Sequence, residues 1–308
     1  MYKYIIKRFL MVIPVIIGVT FTIFTIMNLS PGDPVDFILG DGATHEAKEA
    51  LRERLGLNEP FLIRYGNFII NAFQGDLGVT YAAQRSVSDE IFTRFPNTLQ
   101  LAVMGLIIAV FFGVSLGIVS AVKQYSLIDN GATIFGILFV SLPNFWLGMM
   151  LVILFAVNLG WLPPSGFDRP SQWVLPAITL GTGQMALIMR MSRSSMLEVI
   201  RQDYIRTARA KGQKERVVIL RHALRNALIP VTTYIGLLFG WLLGGAILTE
   251  TIFSINGVGR LMVQSMRARD IPIVLGGVTI LSVVFTLVNL LVDILYAYLD
   301  PRIKAQYK

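Results

Sequence analysis

Residues 113–117 spell Gly-Val-Ser-Leu-Gly, the spacing that carries a serine nucleophile on a sharp strand-to-helix turn. Acyl-transfer chemistry at Ser115 needs a histidine base within hydrogen-bond reach. The chain has only His45 and His222, and the topology argued below sets them on opposite sides of a membrane. The pentapeptide also lies inside the apolar run 98–121 and not at a strand end. Serine hydrolysis is therefore excluded. Cysteine is absent, so there is no thiolate metal site, no disulfide and no cysteine nucleophile, and two histidines make no credible metal-ligand set. No lysine is followed by serine or threonine, so the chain has no phosphate-cradling Walker A loop.

Ionisable residues inside apolar runs cost about 2.5–3.5 kcal/mol by insertion scales and so mark function where they occur. Here they are scarce. Arg190 stands at the end of one run, Glu250 at the end of another, and Asp293 lies within the last. A structural pair or helix-end contact is the favoured role for Asp293 over a proton relay. A proton- or sodium-coupled carrier would need more such groups, so the energy source is expected in another protein.

These groups must be held by the apolar runs themselves. Of 308 residues, 54% are apolar and 15% charged, and the mean hydropathy is +0.64. Six stretches are long enough to cross a hydrocarbon core of about 30 Å: 9–29, 98–121, 132–158, 173–191, 228–249 and 273–299. The first follows Lys3, Lys7 and Arg8 but is too long for a signal peptide and runs into Ser30-Pro-Gly-Asp-Pro34 without a cleavage site, which predicts an uncleaved span. Three basic residues stand before the first run, one in the 122–130 loop (Lys123), ten in 190–227 and three in the tail (Arg302, Lys304, Lys308), against Arg169 alone in 159–172 and Arg260, Arg267 and Arg269 in 250–272. The positive-inside rule then puts both termini and 190–227 in the cytoplasm and 31–97 outside. The net charge of +8 follows from the same loops and needs no nucleic acid.

The outer segment carries its own helices. Thr44 is placed to cap a helix over 45–55 that ends at Gly56. A second starts at Pro60, puts Phe61, Tyr65, Phe68 and Ala72 on one stripe, and stops at Gly75, an amphipathic piece expected to pack on the bundle or lie on membrane lipid. In span three, Ser141-Leu-Pro-Asn144 breaks the backbone ladder. Unpaired carbonyls at membrane depth tend to line cavities, so Ser141, Asn144 and Trp146 are candidates for a translocation path, with a packed kink as the alternative. Gly236, Gly240 and Gly244 form two overlapping GxxxG units and Gly113 and Gly117 a third, suited to close helix contact within the chain or against another subunit.

The 190–227 loop is the most informative stretch. Met196, Ile200, Tyr204 and Ala208 read as one helical face, closed by Gly212, and Val217, Leu220, Leu224 and Leu228 as the face of a second helix running through Pro230 into span five. A helix–glycine–helix elbow joined to two spans is a device for transmitting force from a docked partner.

The stretches Asp203-Tyr-Ile-Arg-Thr-Ala-Arg-Ala-Lys-Gly-Gln213 and Arg221-His-Ala-Leu-Arg-Asn-Ala-Leu-Ile-Pro230 resemble the coupling loop of bacterial ATP-binding-cassette importer permeases. Pro31-Gly-Asp-Pro34, Gly75-Asp-Leu-Gly78, Arg94-Phe-Pro-Asn-Thr-Leu-Gln-Leu-Ala102, Gly160-Trp-Leu-Pro163, Ser192-Arg-Ser-Ser-Met-Leu-Glu-Val199, Thr249-Glu-Thr-Ile-Phe253, Gly257-Val-Gly259 and Asn289-Leu-Leu-Val-Asp293 extend the likeness over the whole chain. They point to the first permease subunit of the dipeptide/oligopeptide/nickel branch. Arg206-Thr207-Ala208 stands where the general signature has Glu-Ala-Ala. The resemblance implies an all-α membrane protein with the type I importer fold: an N-terminal span and outer segment (1–97), a transmembrane core (98–299) with a coupling loop (194–227), and a short tail (300–308). It implies a second homologous permease, two ATPase subunits that bind ATP and magnesium, and an extracytoplasmic solute-binding protein. It makes Asp203, Tyr204, Arg206, Thr207, Ala208, Arg209, Ala210, Lys211 and Gly212 the ATPase-coupling helix. Peptides are the expected cargo, with chelated nickel or a glutathione-like solute as alternatives. A stand-alone carrier and a membrane anchor or sensor are the competing classes.

Overall fold

The computed structural model describes residues 2–40 and 42–299, with side chains from residue 10 to 292 apart from residue 41. The side chains of Lys3, Lys7, Arg8 and Asp293, and the whole tail with Arg302, Lys304 and Lys308, lie outside the described residues. Every regular element among those residues is helical. Five helices are long and apolar enough to cross a membrane, or six if one bent pair counts as a single span. In chain order the helices are α1 (Tyr2–Leu29), α2 (Pro34–Leu39), α3 (His45–Arg54), α4 (Phe61–Phe73), α5 (Val87–Val122), α6 (Leu127–Ser141), α7 (Asn144–Leu151), α8 (Pro170–Ile200), α9 (Asp203–Ala210), α10 (Glu215–Val217), α11 (Leu224–Ile252), α12 (Val258–Arg267) and α13 (Ile271–Leu299). Wide π-turns continue α7 over Val152–Asn158 and join α10 to α11 over Val218–Ala223.

The chain forms two compact units. The first comprises 1–98 with 256–287, so a segment that the sequence assigns to the transmembrane core is shared with the N-terminal part. The reason is a common apolar core: Val258, Leu261, Met262 and Ile273 bury themselves with Leu77, Val87 and Ile91. In the same unit α4 lies along α1, as its stripe predicts. Phe61, Tyr65 and Phe68 pack on Phe24 and Met27, and the Tyr65 hydroxyl donates to the Ile17 carbonyl at 2.7 Å. Thr44 caps α3 by accepting the Ala47 amide at 3.3 Å, and Gly56 and Gly75 take positive φ where α3 and α4 end. Arg269 closes the end of α1, donating to Ser30 Oγ at 2.9 Å and to the Met27 carbonyl. Helices α2 and α12 are not among the elements that periodicity predicts; both are short and lack a long apolar run.

Asp33 ties the start of this unit together. Its Oδ1 accepts the Val35 amide at 2.9 Å, capping α2, and Arg52 Nε on α3 donates to Oδ2 at 3.0 Å. Burial pushes this carboxyl up, but Arg52, the Val35 amide and Lys48 outweigh it and hold it below its ordinary value. Asp33→Ala is expected to cost about 1 kcal/mol through the cap, raising amide exchange in α2 about fivefold. Since the folded carboxyl titrates below its unfolded value, wild-type protection is present above about pH 4 and fades as pH falls through the folded value. The alanine variant should show no such fade in hydrogen exchange followed across that window.

The second unit comprises, among the described residues, 99–255 and 288–299. Its central post is α8, the most buried and least apolar of the spanning helices. Glycines let α5 approach it closely. A Cβ at Gly113 would stand 2.7 Å from the Met185 carbonyl oxygen, and one at Gly117 would stand 2.6 Å from Ser192 Cβ. The third span differs from a simple interrupted helix. It starts at Leu127, five residues before the sequence limit of 132, and α6 and α7 meet at 103° across Leu142–Pro143. The proline cannot donate an amide and biases Leu142 to extended backbone, which is what Leu142 adopts.

Candidate functional site

The 194–227 region is an elbow, but its first helix is not the continuous one expected from Met196 to Ala208. α8 runs on to Ile200, Arg201 and Gln202 turn the chain with Gln202 extended, and α9 begins afresh at Asp203. Met196 and Ile200 therefore belong to α8. The buried face of α9 is Ile205 and Ala208, while Tyr204 is exposed. Ile205 and Ala208 seat in a core formed by Ala121 of α5, Met196 of α8, and Val218, Ile219, Ala223 and Ala227 beyond the turn.

Gly212 ends α9 with φ of +73°, a left-handed conformation that costs other residues about 1–2 kcal/mol. The second helix of the elbow keeps only part of the predicted face: Leu224 packs against this core, but the start of the stripe does not. Val217 and Leu220 are exposed, and Val218, Ile219, Ala223 and Ala227 are buried in their place. The π-turn over Val218–Ala223 accounts for this, since each wide turn takes up an extra residue and rotates the register of what precedes it.

Polar contacts stiffen the elbow. Arg209 clamps Glu215 with two bonds of 2.7 and 3.1 Å, bridging α9 and α10 across Gly212. Asn226 Nδ2 donates to Tyr204 Oη at 2.7 Å, and Gln213 Oε1 and His222 Nε2 are 2.7 Å apart. Thr207 Oγ1 donates to the Asp203 carbonyl at 3.0 Å, inside α9. Of the nine residues marked for coupling, Tyr204 and Arg209 are thus engaged within the elbow, and Ile205, not marked, is a main anchor. Arg206, Ala210 and Lys211 point outward. Arg206 and Asp203 stand 3.7 Å apart with both side chains mostly exposed, a pairing worth little in water.

At the bend, Ser141 Oγ donates to the Ile137 carbonyl at 2.9 Å and its residue is exposed. Trp146 is exposed, while Asn144 is half-buried and its Oδ1 approaches Gly183 of α8. One arm beyond, Gly148 packs on Thr179. The three glycines of α11 do not share one role. Gly236 meets Val292 within the chain, Gly240 is buried, and Gly244 is exposed with no atom within 4 Å of its missing side chain.

A polar cluster escaped sequence reasoning altogether. Asp129 lies between the apolar runs 98–121 and 132–158, yet its carboxylate is buried and receives Arg193 Nε at 2.7 Å and Nη2 at 2.8 Å, Ser120 Oγ at 2.5 Å and the Tyr125 amide at 2.9 Å. The available signal was local: Ser126 caps α6 by accepting the Asp129 amide, which marks residue 129 as helical.

An elbow between two long helices, a post helix and a broken span fit a membrane-embedded subunit. Residues 113–305 match the binding-protein-dependent transport system inner membrane component, and residues 1–102 match the N-terminal membrane component of such systems. The chain belongs to this family of integral membrane permease subunits. It is 45% identical to the dipeptide transport system permease protein DppB of Alkalihalophilus pseudofirmus, covering 99% of this chain and 100% of the relative. It is 42% identical to the glutathione transport system permease protein GsiC of Escherichia coli K12, covering 99% of each. The fold is similar to that of a solved structure of the MetNI methionine ABC transporter, with a TM-score of 0.54 at 18% identity over 66% of this chain and 93% of that one. An amino acid ABC transporter gives 0.52 at 15% identity over 70% and 94%.

Proposed function

We propose that the chain is the translocation subunit for small peptides in an importer whose ATP is hydrolysed by partner subunits. The observation that carries the coupling part is α9, a short helix anchored from one side by Ile205 and Ala208 that offers Arg206, Ala210 and Lys211 on the other. A helix so mounted passes on displacement instead of absorbing it. Closure of two ATPases around ATP and magnesium would press α9 and tilt α8 and α11, which enter and leave the elbow, and the pathway would switch from inward to outward access. Ser141, Asn144 and Trp146 at the bend would face that pathway, and the exposed Gly244 end of the α11 stripe would meet a second permease. In this arrangement the termini and the elbow face the cytoplasm, and the 31–97 segment receives a solute-binding protein.

Peptide cargo is supported by the full-length similarity to a dipeptide permease and to a glutathione permease, glutathione being itself a tripeptide. Co-reconstitution tests the reading. Proteoliposomes holding this chain, its second permease, the ATPases and the binding protein should take up labelled dipeptide only with ATP. Vesicles with this chain alone should take up none. Dipeptide entry with the chain alone would overturn the reading in favour of a stand-alone carrier.

A further inference from the structure

The Asp129 carboxylate has all its acceptor directions filled: two bonds from one guanidinium, one from a hydroxyl and one from a backbone amide. The donors come from three different elements. Ser120 is at the end of α5, Tyr125 is in the connection with φ of +63°, and Arg193 is on α8. A buried ion pair is a weak source of stability, because apolar side chains of similar volume often hold helices as well or better. What a forked guanidinium on a carboxylate supplies is direction, since two parallel bonds fix orientation as well as distance.

The position of the clasp gives that directionality a use. Arg193 is less than one turn before Met196, and Ser120 is next to Ala121; Met196 and Ala121 belong to the core in which α9 is seated. Asp129 lies in the first turn of α6, whose far end is the 103° bend. Across the bend, α7 is held to the same helix α8, by Gly148 on Thr179. α8 therefore grips both arms of the broken span at points about 21 Å apart, at 1.5 Å per residue.

We propose that the Asp129–Arg193–Ser120 clasp carries the movement of the elbow into α6 and so to the bend at Leu142–Pro143. Asp129 and Arg193 are positioning residues for transport, acting through α6 and touching neither cargo nor nucleotide. The inference rests on the coupling role given to α9 above.

The test uses the complete transporter in proteoliposomes, with ATP hydrolysed and dipeptide imported measured together. Arg193→Lys keeps the charge but loses the fork, and the double variant Asp129→Leu/Arg193→Met keeps volume without charge. Both are expected to assemble and to hydrolyse ATP near the wild-type rate, while dipeptide imported per ATP falls about fivefold or more. The exchange Asp129→Arg/Arg193→Asp should recover part of that ratio. Spin labels at 138 and 145, flanking the bend, should lose their ATP-dependent change in separation in the uncoupled variants. A wild-type ratio in both Arg193→Lys and the apolar pair overturns the inference, as does failure of every clasp variant to reach the membrane, which would make the cluster a folding requirement. Ala208→Trp run in parallel separates the two levels. If it uncouples and the clasp variants do not, only the clasp inference falls; if it does not uncouple, the α9 reading beneath it falls.

Discussion

Ala208→Trp should reduce ATP-driven uptake at least about tenfold while the chain still inserts in the membrane. Ala208 is 8% exposed and closes the core in which α9 sits against Ala121, Met196 and Ala223. An indole there cannot be housed without lifting α9 off its seat, and overpacking of this kind costs about 1–3 kcal/mol. The apolar sequence of the spanning helices is unchanged, so insertion should be normal. Uptake and ATP hydrolysis measured on the same vesicles give the result, and uptake within about twofold of wild type would contradict it. Gly212→Trp is a weaker test than its sequence position suggests. No atom lies within 4 Å of the missing side chain, so the penalty is the strained backbone at φ of +73° and not a clash.

The second large effect is expected from Gly117→Leu. Its Cβ would stand 2.6 Å from Ser192 Cβ and 2.7 Å from the Met189 carbonyl oxygen. Neither can swing away as a flexible side-chain tip could, so α5 and α8 must separate. The cost is expected at about 3 kcal/mol, lowering the melting temperature of the purified permease by roughly 10 °C. Gly244→Leu, at an exposed position of the α11 stripe with open space around it, is the control and should leave the melting temperature of the isolated chain unchanged. Equal melting of the Gly117 variant and wild type would remove close α5–α8 packing from the account.

Much of this fold was legible because apolar run length and a few punctuating residues act locally. The runs located the spans, Thr44 and Gly56 bounded α3, and the Phe61–Tyr65–Phe68 stripe named the face that α4 turns to α1. Three features were not legible, each for a different reason. The turn at Arg201–Gln202 has no glycine or proline, and Ile200, Tyr204 and Ala208 keep helical spacing across it by coincidence. The π-turn at Val218–Ala223 has no local signature, so a stripe counted at 3.6 residues per turn drifts onto the wrong face. The clasp joins residues 64 positions apart, and nothing near Asp129 announces Arg193. In the elbow the sequence showed where a device was, and side-chain geometry showed which residues hold it together.

α8 carries threonines, two glutamines, serines and two arginines along its length and is mostly shielded by its neighbours. Such a segment gains little from lipid on its own. During synthesis α5, α6 and α7 leave the ribosome first, and they provide the glycine-lined wall and the carboxylate that α8 needs. Partition of α8 into the bilayer is thus a cooperative event among nascent helices, and the same polar residues that serve the finished transporter set the order of its biogenesis.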